Sequence, residues 1–259
     1  MKIIVCVKQV PDAKDVRLDP VTNTLAREGV ASIMNPYDQH ALEEAVRIKE
    51  RCGGEVVVLT MGPPQAEEVL RQALSCGADQ VVLVSDRLFA GADTWATAYT
   101  LEQAIRQIGS FDLILCGKQA IDGDTAQVGP GLATRLSLPF MTCVQKIREI
   151  STDVVVAERM MDDGYDVVEM RLPALLSVVK DINEPRVPSL KGKMKAKTAK
   201  IVTYNAEALH ADANCIGLPG SPTKVVKVFP PHARGERTVL NGTLDQQIDQ
   251  LVAKLLPYL

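Results

Sequence analysis

Between Cys116 and Leu136 the chain reads CGKQAIDGDTAQVGPGLATRL, and this is where its residue types best suit chemistry. The apolar run Phe111 to Cys116 leads in, Asp122 and Asp124 flank Gly123, and Gly129-Pro130-Gly131 falls where a helix should begin. Proline has no N–H and fits a helix only in its first turn, so the helix holding Pro130 starts no earlier than about Gln127. The main-chain donors from Gly123 to Gly129 are then left without helical partners, and Gly123, Ala126 and Gly129 add little side-chain bulk. Unclaimed amides ahead of the positive end of a helix form an anion site, for which a phosphorylated ligand is the natural guest. Asp122 and Asp124 would repel a phosphate, so they are expected to turn toward ribose or adenine, or to accept local backbone hydrogen bonds. The competing reading is an ordinary Asp-Gly-Asp turn with Thr125 as a cap, since the glycine spacing fits neither the P-loop nor G-x-G-x-x-G. Two other junctions, Met61-Gly62-Pro63-Pro64 and Asn35-Pro36, also put small residues or free amides at strand ends or helix starts. Cys6, on the first strand, would border the same crevice.

General acid–base or nucleophilic chemistry finds no candidate: there is no serine elbow, no Cys/His motif and no HExxH. Any reaction would have to be carried by a bound cofactor. A net charge of -3, a pI near 5.7 and a single Trp argue against nucleic-acid binding. The N-terminal apolar run is too short for a signal segment, and no stretch approaches the roughly 20 apolar residues of a membrane span. The expectation is a cytoplasmic protein without membrane insertion. Six scattered cysteines without a C-x-x-C pair suit a reducing compartment, and three scattered histidines give no support to a metal site.

These residues need a scaffold. Apolar, β-branched runs at Ile3 to Val7, Val56 to Leu59, Val81 to Val84 and Leu113 to Cys116 lack polar alternation, as strands buried on both faces of a parallel sheet do. Helical patterns separate them. One follows Asn35 as a cap with Pro36 in its first turn, runs to Gly53-Gly54 and buries Ala41, Leu42, Ala45, Val46 and Ile48. A second follows Met61 to Gln65, and a third spans about Asp93 to Ile108. The fold class is therefore α/β: a Rossmann-like, open, mainly parallel sheet with helices on both faces. Val16 to Glu28 reads as a small hairpin inserted after the first strand. From Phe140 to Val179 short β-rich stretches follow one another, read as antiparallel or as an extension of the core sheet. A Pro- and Lys-rich link, Asn183 to Lys200, leads into a tail without strong periodicity. The last element places Leu244, Ile248, Leu251 and Leu255 on one stripe, with Thr243 and Gln246 as a capping box. The division expected is a nucleotide-binding domain over 1–235 and a C-terminal extension over 236–259.

Four segments in order, CVKQVPD, SIMNPYDQHALEEAVRIKE, GKQAIDGDTAQVGP and NEPRVPSLKGKMKAK, resemble those of electron transfer flavoprotein β subunits, from Met1 to about Lys200. The resemblance implies a Rossmann-like domain, a partner α subunit carrying FAD, and a nucleotide held by this chain. Members that only shuttle electrons hold AMP, and their loop has an acidic triplet followed by Cys, Asn and Gln. The loop here, DGDTAQVGP, is similar to the electron-bifurcating type, which holds a second FAD. That likeness assigns Asp122, Gly123, Asp124, Thr125, Ala126, Gln127, Val128 and Gly129 to diphosphate and adenosine, with Cys6, Asn35, Tyr37 and Met61 around the rest of the nucleotide. It also implies NADH as hydride donor, with electrons passing to ferredoxin or flavodoxin and, through the α-bound flavin, to an acyl-CoA dehydrogenase. The family docks its dehydrogenase on a loop with a leucine anchor. Leu190 stands at that place, beside Lys191, Lys193 and Lys195; a merely solvated, solubilising strand or loop is the competing reading, and docking is the one expected. The C-terminal stripe, by the same likeness, clasps the α subunit.

Overall fold

The computed structural model describes residues 1–12, 17–18, 25–26, 31–226 and 238–258. Its elements in chain order are β1 (Lys2–Cys6), β2 (Gln9–Pro11), β3 (Arg17–Leu18), β4 (Leu25–Ala26), β5 (Ser32–Met34), α1 (Pro36–Cys52), β6 (Glu55–Met61), α2 (Glu67–Ser75), β7 (Gln80–Val84), α3 (Thr94–Ile108) and β8 (Leu113–Gly117). There follow α4 (Val128–Arg135), β9 (Phe140–Ile150), β10 (Val154–Met160), β11 (Tyr165–Arg171), β12 (Ala174–Val178), α5 (Leu190–Thr198), β13 (Val202–Tyr204) and α6 (Leu244–Leu255).

One sheet carries the chain, in the order β11-β10-β9-β12-β8-β1-β6-β7-β13. The core strands pair in parallel, β1 with both β6 and β8, and β6 with β7. Period-two geometry sends Ile3 and Val5 to one face, where they pack with Ala41, Ala45, Ile48, Leu70 and Ala73 of α1 and α2. Ile4 and Cys6 point to the other, against Ala98, Leu101, Ile105 and Leu132 of α3 and α4. Successive crossovers therefore diverge between β1 and β8, and the crevice they leave lies beyond the carboxyl ends of those two strands.

The β-rich segment is only partly antiparallel. β9, β10 and β11 form an antiparallel extension, but β12 returns to the core and lies parallel between β8 and β9. Burial separates the two cases: every residue of β12 is buried, as in a central parallel strand, whereas β11 is largely exposed at the sheet edge. The expected hairpin is present as the antiparallel pair β3 and β4, and β2 and β5 form a second antiparallel pair; the hairpin's turn lies outside the described residues. The tail after the basic link contributes β13, which pairs with β7.

One further expectation changes. The link expected as a docking loop contains the helix α5, whose N-terminus is capped by Ser189 accepting from the Gly192 amide at 3.0 Å. Helix formers Lys, Met and Ala fill it, and it lies on α2 with Ala196 buried and Gly192 close against the Ser75 carbonyl. α6 has the expected capping box between Thr243 and Gln246, yet none of its residues is buried, and its apolar stripe faces outward. Among the described residues no helix is long and apolar enough to cross a membrane.

Candidate functional site

The first turn of α1 closes one wall of the crevice. Asp38 is 6 % exposed, and its carboxylate accepts the Lys8 amide at 2.7 Å and the Gly117 amide at 3.0 Å. It thus ties the ends of β1 and β8 to one helix. Gly117 is glycine because a Cβ there would collide with Asp38 Oδ1 and with Tyr37. Burial pushes the Asp38 carboxyl up to about 7, against the pull of the Lys8 and Gly117 amides, the Asn35 side chain and the Lys8 charge. On the α3 and α4 side, Cys6 and Cys116 stand opposite each other in register. Burial, with a smaller contribution from Asp38, pushes the Cys6 thiol up to about 12, and burial raises Cys116 well above its ordinary value. Both remain neutral, so they furnish a small apolar floor and no nucleophile.

The loop between β8 and α4 has two unlike halves. Its first half is pinned. Asn35 does not cap α1 with its side chain; it spans to the loop instead, donating from Nδ2 to the Gln119 carbonyl at 2.9 Å and accepting the Ile121 amide at 3.2 Å. A bond to two backbone groups of a neighbouring segment outcompetes the local cap. Lys8 Nζ reaches both carboxylate oxygens of Asp122 at 2.8 Å, and Gln119 donates to Asp124. The two acids therefore take side-chain partners, and not the local backbone hydrogen bonds that were one of the two expectations for them.

The second half is open. The Asp124 amide donates to the Ala120 carbonyl at 2.9 Å, but among the described residues no acceptor serves the amides of Gly123, Thr125, Ala126, Gln127, Val128 or Gly129. Asp124 and Ala126 hold left-handed backbone, with φ of 53° and 54°. An alanine in that region is uncommon, and here it stands two residues before α4 starts at Val128, inside the limit that Pro130 sets. At Gly129 a Cβ would come within 3.0 Å of Cys116 Sγ, so the start of α4 lies directly on the crevice floor.

The structure brings Cys6, Asn35, Tyr37 and the loop from Asp122 to Gly129 to the carboxyl ends of β1 and β8, with Met61 closing the neighbouring β6. Sequence reasoning singled out neither Lys8 nor Lys180 as a site residue. Lys180, just past β12, sits 4.8 Å from the centroid of the Tyr37 ring. The signal that could have found the lysines is positional, because each follows a buried parallel strand by two residues. Lys118, directly after β8, adds a third.

A cradle of unpaired amides, small residues and nearby lysines fits the diphosphate of a nucleotide, and the neutral floor of Cys6, Cys116 and Gly129 fits close approach of its apolar parts. On the outer flank of α4 a cavity of about 270 Å³ is lined by Thr94, Trp95, Ala98, Gln127, Pro130, Gly131 and Thr134. The other predicted group lies elsewhere, on α5: Leu190 is 78 % exposed, with Met194 and the preceding Val187 also exposed among Lys191, Lys193 and Lys195.

Residues 22–209 match the model of the electron transfer flavoprotein domain. The chain is 50 % identical over 258 residues to an electron transfer flavoprotein subunit β of Thermoanaerobacterium thermosaccharolyticum, covering 98 % of each. It is 49 % identical to the caffeyl-CoA reductase-Etf complex subunit CarD of Acetobacterium woodii, again over 98 % of each. Protein FixA of Bradyrhizobium diazoefficiens is 48 % identical, over 97 % of this chain and 90 % of that protein.

Proposed function

Because the chain belongs to the electron transfer flavoprotein family as a β subunit, the kind that pairs with an α subunit, we propose that its crevice holds FAD and that the pair bifurcates electrons. A flavin held there would supply hydride acceptance from NADH and one-electron release, toward ferredoxin or flavodoxin and, through the FAD of the α subunit, toward an acyl-CoA dehydrogenase. NADH oxidation then belongs to the α/β complex in the cytoplasm and not to this chain alone.

The observation that carries this reading is the open half of the loop. Among the described residues the amides from Thr125 to Gly129 have no acceptor, and by the resemblance DGDTAQVGP has Gly123, Thr125 and Ala126 where AMP-holding shuttles have the middle acid of a triplet, Cys and Asn. Thr125 to Gly129 would hold the diphosphate, while Asn35 and Asp38 keep the loop and the two strand ends in place. The similarity to a subunit of a complex that also contains a caffeyl-CoA reductase supports a partner that reduces or oxidises a CoA thioester. Leu190 with the lysines of α5 would form the docking surface for it, and the exposed stripe of α6 would clasp the α subunit.

Cofactor content of the purified pair tests the proposal. Two FAD per pair is the expected result; one FAD with one AMP would make the chain an AMP-holding shuttle subunit. A colourless chain that purifies without a partner would leave only an adenine-nucleotide module.

A further inference from the structure

Lys8 has a role that the nucleotide reading does not assign. Its backbone amide is fixed by the buried Asp38, so the side chain starts from a rigid point at the end of β1. From there Nζ crosses the crevice and straddles Asp122, at 2.8 Å from each carboxylate oxygen. Both side chains remain partly exposed, 48 % and 33 %, which makes the pair weak and exchangeable. Asp122 nevertheless sits in the same short loop as the unclaimed amides from Thr125 to Gly129, and an uncompensated carboxylate there would oppose the anion those amides attract.

We infer that Lys8 is the counter-charge of the nucleotide loop: by neutralising Asp122 and offering the crevice its cation, it sets the affinity for the ligand's phosphates and not for its nucleoside. This rests on the nucleotide-binding reading. The charge arithmetic is simple. With Lys8 and Asp122 both present the pair is neutral; without Lys8 it is negative, without Asp122 positive, and without both neutral again.

Calorimetric titration of the α/β pair, freed of bound nucleotide, with adenosine, AMP and ADP tests it. In Lys8→Met, ADP is expected to bind about tenfold more weakly and adenosine within roughly twofold of the unaltered protein. Asp122→Asn should tighten ADP, and the double variant should return it to within about threefold. Lys8→Met leaves the main-chain bond to Asp38 intact, and Lys8→Arg, which keeps the charge, should behave like the unaltered protein. The inference is overturned if Lys8→Met weakens adenosine as much as ADP or weakens neither. It is overturned as well if Asp122→Asn weakens ADP. An unaltered pair that binds none of the three ligands at this chain's site would remove the nucleotide reading itself.

Discussion

Replacing Asp38 by asparagine should change how stability depends on pH. The carboxyl is buried, and burial raises it from the ordinary 3.8 to about 7. Folding thus favours the protonated acid. The contribution is fully present below the ordinary carboxyl value and is lost as pH rises through about 7, the opposite of a salt-bridged carboxylate. Integrating between pH 5 and pH 8, with the group near 3.8 unfolded and about 7 folded, gives a loss of about 2.5 kcal/mol. For a chain of this size that is roughly 5–10 °C in melting temperature. Asparagine keeps the shape but sets an NH₂ against one of the two amides, a pH-independent cost of about 1–3 kcal/mol. The informative quantity is therefore the double difference, variant minus unaltered protein at pH 8 minus the same at pH 5, measured by thermal unfolding of matched α/β preparations. It should favour the variant by several degrees. Infrared difference spectra supply a direct check, since a carboxylic acid C=O band should titrate near pH 7 in the unaltered protein and be missing from Asp38→Asn. Parallel pH profiles for the two proteins would refute the reasoning and place the carboxylate as an ordinary ionised brace.

Gly129→Val should lower nucleotide content about tenfold, because its Cβ would press on Cys116 Sγ and displace the start of α4; content is read by flavin and AMP extraction, alongside an overpacking cost of about 1–3 kcal/mol in a thermal melt. Leu190→Asp should leave cofactor content unchanged and slow electron transfer to the dehydrogenase at least tenfold in a coupled assay, since an exposed anchor carries little folding energy. Deleting residues 243–259 should weaken pairing with the α subunit by analytical ultracentrifugation while leaving the sheet intact by circular dichroism, as none of α6 is buried in this chain.

The parallel core was legible because residues buried on both faces leave unbroken apolar runs, as in Val56 to Leu59 and Leu113 to Cys116. The start of α4 was legible from one proline. β12 was harder: Ala174 to Val178 looks like its neighbours in the extension, and only long-range pairing with β8 and β9 decides its direction. Local rules also misjudged Asn35 and the basic link. Asparagine before a Pro-led helix predicts a cap, but its two bonds to Gln119 and Ile121 come from a segment more than eighty positions away. Lysines and a glycine after two prolines predict a loop, yet α2 offers Gly192 a surface close enough to fold the segment as a helix. Lys8 lies within CVKQVPD, but nothing in its spacing marks it as a partner of the loop; what marks it is its place at the end of β1 opposite Asp122.

α1 joins these observations mechanically. Its first turn supplies Asp38 to the crevice, and Asn35 stands directly before it. Farther along, His40, Glu43, Glu44, Arg47 and Glu50 form one polar stripe, spaced three and four residues apart, and that stripe grips residues 183–186. Glu43 is 4 % exposed. Burial works against its charge, but hydrogen bonds from Arg186 and Arg47 outweigh that and hold its carboxyl below the usual range. Arg186 also reaches Glu50 at 2.6 Å, and three residues later Ser189 caps α5. The crevice proposed for the nucleotide is thus mounted on the start of α1, and the segment that leads into the surface proposed for docking is held along the side of the same helix, while that surface itself lies on α2. With Glu43 buried and Arg186 half-buried, such an ion pair is a poor source of net stability but fixes geometry. Fixed geometry is what an electron carrier requires, because a docking helix that drifted relative to the cofactor would change the distance over which electrons must pass.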